Sequence, residues 1–147
     1  MFPADTPIKI IEHLYLGNFN AASATSLDRC NITSVVCLTK DSQTYPHDSK
    51  INLLHINSIS EDLLEESFTL DKLTDAVTFV ENEIKAGNNV LIHCKAGASR
   101  SPTVIIAYLI KHNHWHVQQA TDYVRNLAWH INPTFTNLLE KYEQMVL

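Results

Sequence analysis

In the run Asn88-Asn89-Val90-Leu91-Ile92-His93-Cys94-Lys95-Ala96-Gly97-Ala98-Ser99-Arg100-Ser101, a cysteine and an arginine stand at opposite ends of a short turn. The residues before the turn are apolar and strand-like, and those from Ser101 onward are helical. Successive amides in such a turn can curl inward into a nest, and the N-terminus of the following helix adds its dipole. The result is a cradle for a tetrahedral oxyanion, formed by Lys95, Ala96, Gly97, Ala98, Ser99 and Arg100. The planar guanidinium of Arg100 can grip two oxygens of that anion. Cys94 sits in the same positive field, which favours a thiolate. A thiolate beneath a bound phosphate is a nucleophile aimed at phosphorus. Gly97 lies where a close backbone approach or a positive φ would require glycine.

The flanking elements must hold this turn. Val90–Ile92 reads as a short apolar strand, and Ser101–Lys111 as a helix with Pro102 in its first turn, where a missing N–H costs little. Upstream, Ile8–Ile11 and Leu14–Leu16 read as short strands, Ala21–Cys30 as a weak helix, and Ile32–Leu38 and Ile51–Ile56 as strands. Asp41–Lys50, with Pro46, is the loop between the last two. Leu70, Leu73, Ala76, Val77, Val80 and Ile84 have the spacing of an amphipathic helix over Leu70–Lys85, with Gly87 as its left-handed stop. Val117–Leu127 and Thr134–Met145 read as further helices, the last opened by Pro133. This alternation predicts an α/β fold: a central, mostly parallel, five-stranded sheet flanked by helices on both faces.

The 147 residues, with no internal repeat, low-complexity stretch or linker, are read as one domain, 1–147. Hydrophobic content of 45% and charged content of 18% suit a soluble globular protein, and the net charge of −5 argues against nucleic acid as a partner. No apolar run reaches the roughly 18 residues of a membrane span. The first residues lack a signal-peptide pattern, and Phe2 excludes N-myristoylation. Cys30, Cys37 and Cys94 cannot all pair within one chain, which suggests a reducing compartment. A cytoplasmic protein is expected, with nuclear access open at 16.6 kDa. The oligomeric state is left open.

His93 through Ser101 resembles the HCxxGxxR[S/T] signature of cysteine-based protein phosphatases. With Pro102-Thr103 and Ala107-Tyr108-Leu109, the run is similar to the dual-specificity branch. Leu14-Tyr15-Leu16-Gly17-Asn18 resembles that branch's opening strand motif, and Pro133-Thr134-Phe135 the approach to its last helix, so the likeness covers nearly the whole chain. The resemblance implies a two-step hydrolysis of phosphotyrosine and phosphoserine/phosphothreonine in proteins through a phosphocysteine. Cys94 would be the nucleophile, and Arg100 with the loop amides would hold the equatorial oxygens. Ser101 would donate to the thiolate, and His93 would orient the loop. No metal or other cofactor is implied. The phosphorylated protein substrate is the partner, and a stand-alone catalytic domain without an added regulatory domain is expected.

The resemblance also implies a general acid, an aspartate about thirty residues before the cysteine, in the window Ser58-Ile59-Ser60-Glu61-Asp62. Counting forward from Ile56 favours Ser60 or Glu61. Counting back from Leu73 and Phe79 favours Asp62, which is chosen because loop length varies more than helix register. The alternative for Asp62 is a helix cap, with Glu65 and Glu66 in the first turn.

Two rival functions are set beside this one. The run Cys94-Lys95-Ala96-Gly97 also resembles relatives that act on phosphoinositides, other phospholipids or inositol phosphates, Lys95 suiting a polyanionic head group, whereas the small Ala98 followed by Ser99 favours phosphoproteins. A catalytically weak phospho-binding module would keep the cradle and lack an effective acid. Ala128 stands where many dual-specificity phosphatases carry a second phosphate-holding arginine after Val124-Arg125, which argues against a doubly phosphorylated target. His112, His114 and His116 around Trp115 are read as a helix–helix turn rather than a metal site. Cys30 and Cys37 are read as small apolar packing rather than a redox partner for Cys94.

Overall fold

The structure is a computed structural model and describes residues 3–40, 50–59 and 65–147. Five strands form one sheet: β1 (Ile8–Ile11), β2 (Leu14–Gly17), β3 (Ile32–Cys37), β4 (Asn52–His55) and β5 (Asn89–His93). Their order is β1-β2-β5-β3-β4, with β1 antiparallel to β2 and the other pairs parallel. The expected five-stranded, mostly parallel sheet is therefore present. The last strand in sequence inserts at its centre, and the chain leaves β5 at the carboxyl end of the sheet, where open α/β sheets place their ligands.

Alternation along the strands divides the interior in two. Leu16, Val36, Val90 and Ile92 face a large core shared with four helices. These are α2 (Leu70–Lys85), α3 (Arg100–Asn113), α4 (Val117–Leu127) and α5 (Thr136–Val146). Val35, Cys37 and Leu91 face a smaller cluster under the short helix α1 (Ala24–Arg29), which contributes Leu27. Helices cover both faces, unequally. β5 is covered on both sides, which is why Val90-Leu91-Ile92 reads as a continuous apolar run instead of an alternating one. Helix α3 packs against α2, α4 and α5, and every residue from Arg100 to Ile110 is buried. A helix apolar on all sides belongs in such a position.

Helices α2 and α4 keep their predicted bounds. Thr69 caps α2 by accepting from the Lys72 N–H. Glu65 and Glu66 lie in a separate 3-10 turn, Glu65–Ser67. Gly87 stops α2 at φ +85°. The predicted Ala21–Cys30 helix divides at Ser23 into a 3-10 turn, Phe19–Ala22, and α1, because the Ser23 hydroxyl caps the second piece through the Ser26 N–H. The final helix starts at Thr136 rather than Thr134. Pro133 and Thr134 instead run alongside the Cys94–Arg100 turn, where the Thr134 hydroxyl and N–H engage the Ser99 hydroxyl at 2.8 and 3.3 Å. A tertiary contact has overridden a local helix signal. Among the described residues, no helix is long and apolar enough to cross a membrane.

Candidate active site

β5 ends at His93, the turn 94–99 follows, and α3 begins at Arg100. Cys94 is buried, and its Sγ lies 3.1 Å from Ser101 Oγ and 3.2 Å from the backbone N of Gly97. A sulfur facing an amide N–H and a hydroxyl suits an anionic acceptor. Gly97 makes the tight curl possible at φ +68°. A Cβ there would lie 3.0 Å from both the Ala4 Cβ and the Gly17 carbonyl oxygen, so conformation and space both require glycine.

The turn is held from outside by its carbonyls. The Phe19 N–H donates to Lys95 O at 3.2 Å, the Asn132 N–H to Ala98 O at 2.7 Å, and His130 Nε2 to Gly97 O at 3.0 Å. Each link draws a peptide oxygen outward, and a trans peptide whose oxygen points out turns its N–H the other way. Asn18, buried beside the turn, organises its own segment by accepting from the N–H groups of Asn20 and Ala21 and donating to Asp5. Arg100 is 5% exposed and its Nη1 donates to Leu38 O at 2.9 Å, while the Leu38 N–H bonds His93 O. Among the described residues that is the guanidinium's one hydrogen bond, which leaves its other N–H groups for an anion. Lys95 and Ala96 are exposed at the rim, Ala98 is half-buried, and Gly97, Ser99 and Ser101 are buried.

His93 is buried at the end of the central strand. Burial pushes its imidazole down to about 4 from the usual 6.5; nearby His55 and Arg100 act in the same direction, while a hydrogen bond with the Cys94 backbone opposes them. Between those two values the unfolded chain binds a proton that the folded chain refuses. Stability from this group is therefore complete above about pH 6.5 and declines as pH falls toward 4, by about 3 kcal/mol. Urea midpoints measured from pH 7.5 to 4.5 should show the decline in the wild type and a flatter profile in His93→Gln. Equal slopes would show that His93 is not the group responsible.

The structure brings Cys94, Arg100, Ser101, His93 and the turn residues together at the end of β5. Ser60, Glu61 and Asp62 lie outside the described residues. Cys37 pairs in register with His93, yet its side chain faces the smaller cluster on the other side of the sheet from Cys94. Cys30 lies at the opposite end of the strands, its carbonyl bonded by Asn89. Neither is placed to form a disulfide with Cys94. His112 reaches Glu81 while His116 reaches Glu143, so these two imidazoles serve separate carboxylates around the α3–α4 turn. Leu38, His130 and Asn132 carry no sequence signal for the site, and Asn18 and Thr134 stand in the sequence only as parts of motifs; their contacts are made far along the chain.

A cysteine-headed anion cradle at the end of a central parallel strand, closed by an arginine at the next helix, is the architecture of the cysteine-based phosphatases. The chain belongs to the dual-specificity phosphatase family: the family's sequence model, "Dual specificity phosphatase, catalytic domain", matches residues 14–145. It is 30% identical to the Drosophila melanogaster protein phosphatase Slingshot over 145 residues, covering 97% of this chain and 14% of that protein. It is 32% identical to Mus musculus dual specificity protein phosphatase 2 over 131 residues, covering 88% of this chain and 40% of that protein. The chain thus spans less than half the length of these relatives. The crystal structure of human DUSP28 superposes with a TM-score of 0.78 at 28% identity, covering 94% of this chain and 96% of that one.

Proposed function

We propose that this chain hydrolyses phosphate monoesters on proteins, accepting phosphotyrosine and phosphoserine/phosphothreonine, through a phosphocysteine. The observation that carries the reading is the Cys94 sulfur, held at 3.1 Å by Ser101 and 3.2 Å by the Gly97 N–H at the head of the cradle. In the first step the Cys94 thiolate attacks phosphorus, an S–P bond forms and the P–O bond to the leaving group breaks. The departing oxygen takes a proton from a general acid, assigned to Asp62. Water then attacks phosphorus, giving its proton to the same carboxylate, and the S–P bond breaks to release phosphate. Ser101 donates to the sulfur as it leaves, and Arg100 with the loop amides holds the equatorial oxygens throughout.

The protein reading is supported by family membership and by Mus musculus dual specificity protein phosphatase 2 among the relatives. Ala128 is 1% exposed, so its position offers no group for a second phosphate, and a singly phosphorylated site is the better target. The exposed Lys95 at the rim favours one rival, an inositol-phosphate head group. A panel of phosphopeptides and phosphoinositides, assayed side by side for phosphate release, tests the choice. Higher kcat/KM on the phosphoinositides would overturn the protein assignment. The absence of any Cys94-dependent turnover on an aryl phosphate would leave the phospho-binding module standing instead.

The acid is tested on an alkyl phosphate, whose poor leaving group needs protonation. Asp62→Asn should lower kcat by about 10²-fold or more, and Glu61→Gln by much less. The reverse ranking would move the role to Glu61.

A further inference from the structure

We propose that His130 is a positioning residue that locks the phosphate loop, by holding the Gly97–Ala98 peptide in the orientation that turns the Ala98 N–H toward the bound anion. The proposal rests on the phosphatase reading for its catalytic consequence, though not for its geometry.

His130 Nε2 lies 3.0 Å from the Gly97 carbonyl oxygen. A carbonyl only accepts, so Nε2 carries the hydrogen. Nδ1 is buried and has no hydrogen-bond partner among the described residues, so the imidazole's single polar contact is with this loop carbonyl. The peptide it holds is the one most able to turn over. Gly97 sits at φ +68° without a Cβ, and a glycine's neighbouring peptide plane rotates with little steric resistance. If that plane flipped, a carbonyl oxygen would face the cradle where an N–H should be, presenting a negative dipole to a phosphate.

The other outward carbonyls of the turn are held differently. Lys95 O takes the backbone N–H of Phe19, and Ala98 O takes that of Asn132. Among the described residues, Gly97 O is the one held by a side chain from outside the loop and its helix, so sequence can alter this link and not the others. The histidine is itself firmly placed. Ala128 and Ile131, on either side of it, are buried in the main core, the Ile131 N–H donates to Ala128 O at 3.1 Å, and Asn132 is pinned to the loop. A donor carried on so anchored a turn arrives with little ordering cost.

Two variants separate the donor from mere space-filling. His130→Phe keeps a ring and removes the N–H; His130→Gln puts an amide N–H near the place of Nε2. Aryl-phosphate turnover and vanadate inhibition are measured for both, and inorganic phosphate binding is followed calorimetrically. For His130→Phe, kcat/KM should fall about tenfold, with vanadate and phosphate binding weakened and His130→Gln restored to within about threefold of wild type. Equal losses in both variants, or wild-type behaviour in His130→Phe, would overturn the proposal. Should His130→Phe fail to fold, the ring-nitrogen NMR shifts of His130 in the wild type still decide: hydrogen on Nε2 supports the lock, and hydrogen on Nδ1 refutes it. If the wild type shows no Cys94-dependent hydrolysis, the phosphatase reading falls by itself, while phosphate binding and the tautomer continue to judge His130.

Discussion

Replacing Cys94 with serine should remove hydrolysis of an aryl phosphate, lowering kcat by about 10⁴-fold or more, while leaving phosphate binding close to wild type. The expectation follows from how the sulfur is held. Ser101 Oγ at 3.1 Å and the Gly97 N–H at 3.2 Å both address Sγ, and both would remain to address an oxygen in its place. An alcohol in that position is a far weaker nucleophile than a thiolate at neutral pH. The loop carbonyls are held by Phe19, His130 and Asn132, none of which touches the sulfur, so the cradle itself should stand. Single-turnover assays with the variant, together with calorimetry against inorganic phosphate, separate the two effects. Residual turnover within about tenfold of wild type would exclude Cys94 as nucleophile. Loss of phosphate binding along with activity would mean that the sulfur organises the cradle.

The second large effect is expected from Arg100→Lys, a change that keeps the charge and removes the fork. Arg100 is nearly buried and gives one N–H of Nη1 to Leu38 O at 2.9 Å, with further N–H groups left for the anion. A lysine ammonium is a point charge on a flexible stem; it cannot hold Leu38 O and present two parallel donors to phosphate oxygens at once. We expect kcat/KM to fall by about 10²- to 10³-fold, the scale of losing preorganised donors to a developing oxyanion. Thermal unfolding should shift only modestly, because Nζ can still satisfy Leu38 O. Activity within about threefold of wild type would show that charge alone suffices at this position.

The turn that carries these predictions was legible because its signals are local. A strand ending at His93, a glycine at position 97 and a helix starting at Arg100, one residue before the Ser101 expected from sequence, are separated by a few residues each, and the turn they build follows from residue type and spacing. Helix α2 kept its predicted bounds for the same reason: its apolar stripe and its Gly87 stop lie within one element. Signals were misread where a distant contact intervened. Pro133-Thr134 has the look of a helix start, yet Thr134 is committed to Ser99 and the helix waits until Thr136. The general acid has the weakest local signal, since counts from the strand and from the helix disagree across the loop between them.

By itself, then, the sequence determined the local make-up of the cradle: a cysteine at its head, an arginine at its end, and a mostly parallel sheet with helices to hold them. Tertiary structure decided what makes the cradle rigid and where its neighbours point. β5 lies between β2 and β3, so the carbonyls of the turn meet Phe19 from one end of the chain and His130 and Asn132 from the other. Cys37, one strand away, is turned to the opposite face. The physical reason is that strand order and pleat register are chosen by burying the whole apolar surface at once. That is a collective property with no signature at any single position.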